Sequence, residues 1–106
     1  MSNELISLEE LYNIVKERVD SKDPESYSYK IAKQGAEIAG RKVGEEAIEV
    51  VMAGLIDEMD GNEQTREDLI GEVADLYYHS LILLAQRGIL FEEILEELDK
   101  RNQTKG

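Results

Sequence analysis

Three glutamates crowd into one short stretch whose other residues are apolar or glycine: Glu45, Glu46 and Glu49, within Val43-Gly44-Glu45-Glu46-Ala47-Ile48-Glu49-Val50-Val51-Met52-Ala53-Gly54-Leu55-Ile56. On a helix Glu46 and Glu49 fall roughly 60° apart, and Val43, Val50 and Ala53 share the arc around Glu46. The acids therefore lie within an apolar surface, not opposite one. At an effective dielectric of ~20, two such charges about 5–6 Å apart cost about 3 kcal/mol before relaxation. A proton, an Arg or Lys from elsewhere, or a metal ion must offset that repulsion.

A second stretch favours the metal. Between Leu69 and Ala85 the only formal charges are Glu72 and Asp75, again three residues apart, and His79 follows one turn later on the same face. Two helices that each carry acids a turn apart can face one another and enclose a hard cation, and all-oxygen donors suit Mg²⁺ or Mn²⁺ better than zinc or copper. The expected ligands are Glu46, Glu49, Glu72 and Asp75, with Glu45 as a fifth acid. In a chain with 24 acidic residues many carboxylates are expected simply to coat solvated faces; these five stand out because they sit on the most apolar helices, where an unpaired charge is costly.

The remaining polar signals are weaker. A di-iron bundle needs two Glu-x-x-His units, and the chain has one histidine, four residues after Asp75. His79, beside Tyr77 and Tyr78, reads first as a hydrogen-bonded core residue and second as a group standing behind the metal ligands. Lys30, Lys33, Arg41 and Lys42 form the one basic cluster, just before the acids. They are either a solvated face or binders of phosphate, which would let an acidic protein hold an anionic ligand. Ser26 or Ser28 is expected to cap a helix.

Bulk properties narrow the classes. The formal charge of −12 and pI near 4.4 argue against nucleic-acid binding, which needs clustered Lys and Arg. With no cysteine, disulfides, thiolate metal sites and cysteine nucleophiles are excluded. The N-terminus lacks a basic region followed by an apolar one, and the apolar run Leu81 to Ala85 is far short of the ~20 residues that span a bilayer. A cytoplasmic protein without membrane contact is expected.

The elements that must position the acids follow from pattern. Ser7-Leu8-Glu9-Glu10 has the form of a capping box opening a helix over about 8–20, which the segment up to Pro24 ends. A short helix follows Ser26 and is closed by Gly35. A third covers about 36–57 and carries Glu45, Glu46 and Glu49. Its Gly40, Gly44 and Gly54 each cost about 1 kcal/mol relative to Ala, which suggests close approach of another backbone or a ligand. Thr65-Arg66-Glu67-Asp68 resembles a second capping box, placing the fourth helix from about 65 to Arg87-Gly88. A fifth runs over about 91–101, and residues 101–106 read as a frayed tail.

The 106 residues thus make a single all-α domain, an antiparallel helical bundle of about five helices with a metal site between helices three and four. Helices three and four are apolar nearly all round, with Ile48, Val51 and Leu55 away from Glu46. A homodimer that completes the core is expected.

The order Ser26-Tyr27-Ser28, Gly35, Lys42-Val43-Gly44-Glu45-Glu46-x-x-Glu49, Glu72-x-x-Asp75-Leu76-x-Tyr78-His79 and Arg87-Gly88 resembles the phosphoribosyl-ATP pyrophosphohydrolases of histidine biosynthesis, a branch of the all-α MazG-like nucleotide pyrophosphohydrolases. The likeness covers about residues 5–101, with departures at Ser28-Tyr29 and Gly54-Leu55. It implies Mg²⁺-dependent hydrolysis of phosphoribosyl-ATP to phosphoribosyl-AMP and pyrophosphate. In that reading Glu46, Glu49, Glu72 and Asp75 bind metal, Glu45 is the favoured general base with Glu46 also catalytic, and Lys42, Lys30 and Arg41 face the phosphates. A sister enzyme acting on another nucleoside triphosphate, and a non-catalytic helical module with a structural cation, are the alternatives.

Overall fold

The computed structural model describes residues 4–104, and among them there are five helices and no strand: α1 (Leu8–Ser21), α2 (Tyr27–Ala32), α3 (Ala36–Asp60), α4 (Glu63–Gln86) and α5 (Phe91–Gln103). The all-α expectation holds. The N-cap of α1 is the capping box read from the sequence: the Ser7 hydroxyl accepts from the Glu10 backbone N–H at 3.0 Å, and the Glu10 carboxylate accepts from the Ser7 N–H at 2.8 Å. Ser26, not Ser28, caps α2, accepting from the Tyr29 N–H at 3.3 Å.

Other boundaries differ from expectation for local reasons. Gly35 is not the last residue of α2, which ends at Ala32; with φ at 95° it makes the turn and serves as the N-cap of α3. The fourth helix starts earlier than Thr65. Its cap is Asn62, whose side chain accepts from the Thr65 N–H at 2.9 Å while the Thr65 hydroxyl donates to the Asp57 carboxylate at 2.8 Å. Thr65 is therefore the last residue of a capping box and not its first. The expected polar turn from Asp57 shrinks to Gly61 and Asn62, so α3 and α4 form a tight antiparallel hairpin. The helix α5 continues through residues 101–103, which were expected to fray; residues 105 and 106 of that expected tail lie outside the described residues.

The buried core gathers at one end of this hairpin: Tyr12 and Val15 from α1, Ile31 and Ala32 from α2, Ala39 from α3, and Leu81, Ile82 and Ala85 from α4. The Tyr12 hydroxyl donates to the Ile89 carbonyl, tying α1 to the turn before α5. Beyond the core the hairpin projects with its apolar residues uncovered, from Ile48 at 63% exposure to Met59 at 75%, with Val51, Met52, Leu55 and Ile70 between. Apart from the adjoining residues and the backbone of its own helix, no described atom lies within 4 Å of where a Cβ would stand at Gly40, Gly44 or Gly54. The close approach expected at those glycines is thus not made inside one chain. No described helix is long and apolar enough to cross a membrane.

Candidate metal centre

The two acid pairs do meet. α3 presents Glu46 and Glu49 and α4 presents Glu72 and Asp75, and the antiparallel hairpin brings the two helices' acids to the same height. Ligand oxygens of Glu46, Glu72 and Asp75 all lie within 4.8 Å of one another. Glu49 lies near enough to Glu46 and Glu72 to push both of their carboxyls up, although it is not one of the three whose oxygens converge. One oxygen of Glu46 and one of Glu72 are buried with no hydrogen-bond partner. Buried acceptors of that kind are rare unless something absent from the protein itself satisfies them. A hard divalent cation fits: the donors are all carboxylate oxygens, they converge, and two of them lack any other partner.

The electrostatics agree. The Glu72 carboxyl is pushed up to about 7, first because it shares a hydrogen bond with Glu49 and then through burial and the charges of Glu49, Glu46 and Asp75. Glu46 is also raised, chiefly by desolvation and next by Glu49, with Asp75 adding to the rise and His79 opposing it. A carboxyl whose folded pKa exceeds its ordinary 4.5 adds stability that is fully present below 4.5 and is lost as the pH rises through about 7. The metal-free protein should therefore melt at falling temperatures from about pH 5 to about pH 8, and Mg²⁺ or Mn²⁺ should raise the melting temperature more at the higher pH. Calorimetry at the two pH values checks this, and equal metal-induced shifts would contradict it.

His79 lies at the back of the cluster, 8% exposed. Its Nδ1 is 2.9 Å from the Asp75 backbone carbonyl and 3.8 Å from a Glu46 carboxylate oxygen, and its Nε2 is 2.7 Å from the Tyr27 hydroxyl. It is thus hydrogen-bonded in the core, as the first of the two sequence readings had it, and it lies next to Glu46 and Asp75. Ser28, buried and with no capping role, pairs with the Tyr78 hydroxyl at 2.7 Å.

The basic residues are dispersed. Lys42 sits 3.8 Å from Glu45, and both are partly open to solvent beside the cluster. Arg41 turns to Glu37 at 3.5 Å on the exposed side of α3, and Lys30 is exposed on α2 with no ion pair among the described residues. Tyr27 was missed as a site residue. The neighbouring hydroxyls of Ser26 and Ser28 read as helix caps, and only the fold places Tyr27 against α4. Its hydroxyl is pushed up, first by burial and then by Tyr78, Glu46, Asp75 and Glu45, which places it in the field of the acids.

The sequence matches the phosphoribosyl-ATP pyrophosphohydrolase family over residues 8–102. Among similar proteins, a phosphoribosyl-ATP pyrophosphatase of Ignicoccus hospitalis is 38% identical over 92% of this chain and 89% of its own length. The protein of the same name from Saccharolobus solfataricus is 39% identical over 97% of this chain and all of its own, and that of Metallosphaera sedula is 44% identical over 89% and 94%.

Proposed function

The chain belongs to the phosphoribosyl-ATP pyrophosphohydrolase family, and we propose that it hydrolyses phosphoribosyl-ATP to phosphoribosyl-AMP and pyrophosphate in histidine biosynthesis, at the carboxylate cluster between α3 and α4. The observation that carries this reading is the convergence of Glu46, Glu72 and Asp75 within 4.8 Å, with two of their neighbourhood's buried oxygens left unpartnered.

Glu46, Glu49, Glu72 and Asp75 would hold the divalent metal, Mg²⁺ in the first place and Mn²⁺ as a substitute. When bound, such an ion offsets charge on the triphosphate oxygens and makes an attacking water more acidic. The chain's own groups do the rest. Lys42 extends its ammonium to a phosphate oxygen, while Lys30, exposed on α2, and Arg41, beside Glu37, are the further cations available to a polyphosphate. Water adds across the anhydride between the α and β phosphorus atoms. Its proton passes to Glu45, the acid of the group least tied to the other carboxylates, and pyrophosphate departs. Glu46 shapes the reacting centre from the other side. Cytoplasmic location goes with this reading, since that is where nucleotide substrates are available.

We also propose a homodimer. The radius of gyration is 15.7 Å, against about 13 Å for a compact chain of this length. α5 buries no residue of its own and leaves Leu95 and Leu98 half exposed, and the hairpin's apolar face is uncovered. A second copy covering the hairpin and α5 accounts for all three features and for the open glycines.

Assaying phosphoribosyl-ATP against a panel of ordinary nucleoside triphosphates tests the substrate. Turnover of phosphoribosyl-ATP at least about tenfold above every other, a difference of about 1.4 kcal/mol in transition-state binding, is expected. Preference for dCTP or dUTP would overturn it in favour of a sister enzyme, and no turnover of any would favour a non-catalytic module.

A further inference from the structure

The geometry points to Tyr27 as a positioning residue for the metal ligands: its hydroxyl donates to His79 Nε2, fixing the histidine proton on Nδ1 at the edge of the ring that faces Asp75 and Glu46. This rests on the reading of Glu46 and Asp75 as metal ligands.

The proton assignment follows from what each partner can do. A backbone carbonyl only accepts, so the 2.9 Å contact between the Asp75 carbonyl and His79 Nδ1 requires the proton on Nδ1. In the neutral ring Nε2 is then a bare acceptor, and the Tyr27 hydroxyl, 2.7 Å away, is its donor. Nδ1 is also 3.8 Å from a Glu46 carboxylate oxygen, beyond hydrogen-bond distance but close enough for its proton to be felt there. The ring has little freedom to turn. Tyr27 and Tyr78 stack at 6.3 Å, and His79 stands edge-on to each at 5.7 Å, with interplanar angles of 84° and 83°. The bond between Ser28 and the Tyr78 hydroxyl is a separate tie between α2 and α4 that does not involve the histidine. Only Tyr27 among these residues touches Nε2 by a hydrogen bond. Partners that orient groups around a metal site govern affinity as well as rate.

Because the chain has one histidine, long-range proton–nitrogen correlation NMR reads its tautomer without assignment ambiguity. In ¹⁵N-labelled protein free of metal and substrate, the proton should be on Nδ1 and Nε2 should report a hydrogen-bonded acceptor. In Tyr27→Phe the Nε2 signal should move to that of a ring nitrogen without a donor, and Mn²⁺ affinity and kcat should each fall about tenfold. Tyr78→Phe, which cuts only the Ser28 bond, should leave the His79 signals near their original positions. A proton on Nε2 in the unaltered protein overturns the inference, and that result does not depend on any variant folding. An unchanged His79 spectrum in Tyr27→Phe, or an equal shift in Tyr78→Phe, also overturns it. Failure of the unaltered protein to hydrolyse phosphoribosyl-ATP would count against the reaction alone, since the tautomer is read without substrate.

Discussion

Replacing Asp75 with asparagine should lower kcat by more than about a hundredfold, the upper end of what losing a mere supporter of a metal ligand costs, while raising the melting temperature of the metal-free protein. The two effects have one cause. Asp75 contributes one of the three converging oxygens, so on the proposed reading the change replaces an anionic donor with a weaker neutral amide oxygen. Its charge also adds to the rise of both Glu46 and Glu72, so without metal its loss relieves repulsion. Activity and stability thus move in opposite directions, which is how functional acids differ from structural ones. Steady-state kinetics and thermal melts of the same preparation check this. Retained turnover, or a lower melting temperature without metal, would contradict it.

Introducing a charge on the uncovered face should have an effect of similar size on assembly. Val51→Asp places a carboxylate in the middle of the hairpin's exposed apolar surface, between Ile48 and Leu55. If a second copy covers that surface, an unpaired charge there costs about 3 kcal/mol or more, equivalent to at least about a hundredfold in the dimer dissociation constant. Sedimentation at micromolar concentration should give twice the 12.0 kDa chain mass for the unaltered protein and a large monomer fraction for the variant. A monomer in both cases would refute the dimer, and an unperturbed dimer in both would place the interface elsewhere.

The helices and the acids were legible in the sequence for different reasons. Helical periodicity and the Ser7–Glu10 box gave α1 to within a residue, because cap and first turn are adjacent in the chain. The start of α4 was misplaced because Asn62 and Thr65 compete as cap residues by type alone. The bond from Thr65 to Asp57, which spans the turn, selects Asn62. The acid cluster was readable because two i, i+3 pairs in apolar helices have few ways to coexist. The dispersal of Arg41 and Lys30 was not, since adjacency in sequence says little about which way a long cationic side chain reaches. Tyr27 escaped notice for the opposite reason. Its contact with His79 joins residues 52 apart, and nothing local marks it.

The most direct measurement is the anomalous scattering of manganese in crystals grown with Mn²⁺. A peak lying between α3 and α4, within bonding distance of Glu46, Glu72 and Asp75, is the predicted result. Those carboxylates turned away into solvent with no metal between them, in protein that still hydrolyses phosphoribosyl-ATP, would contradict the account.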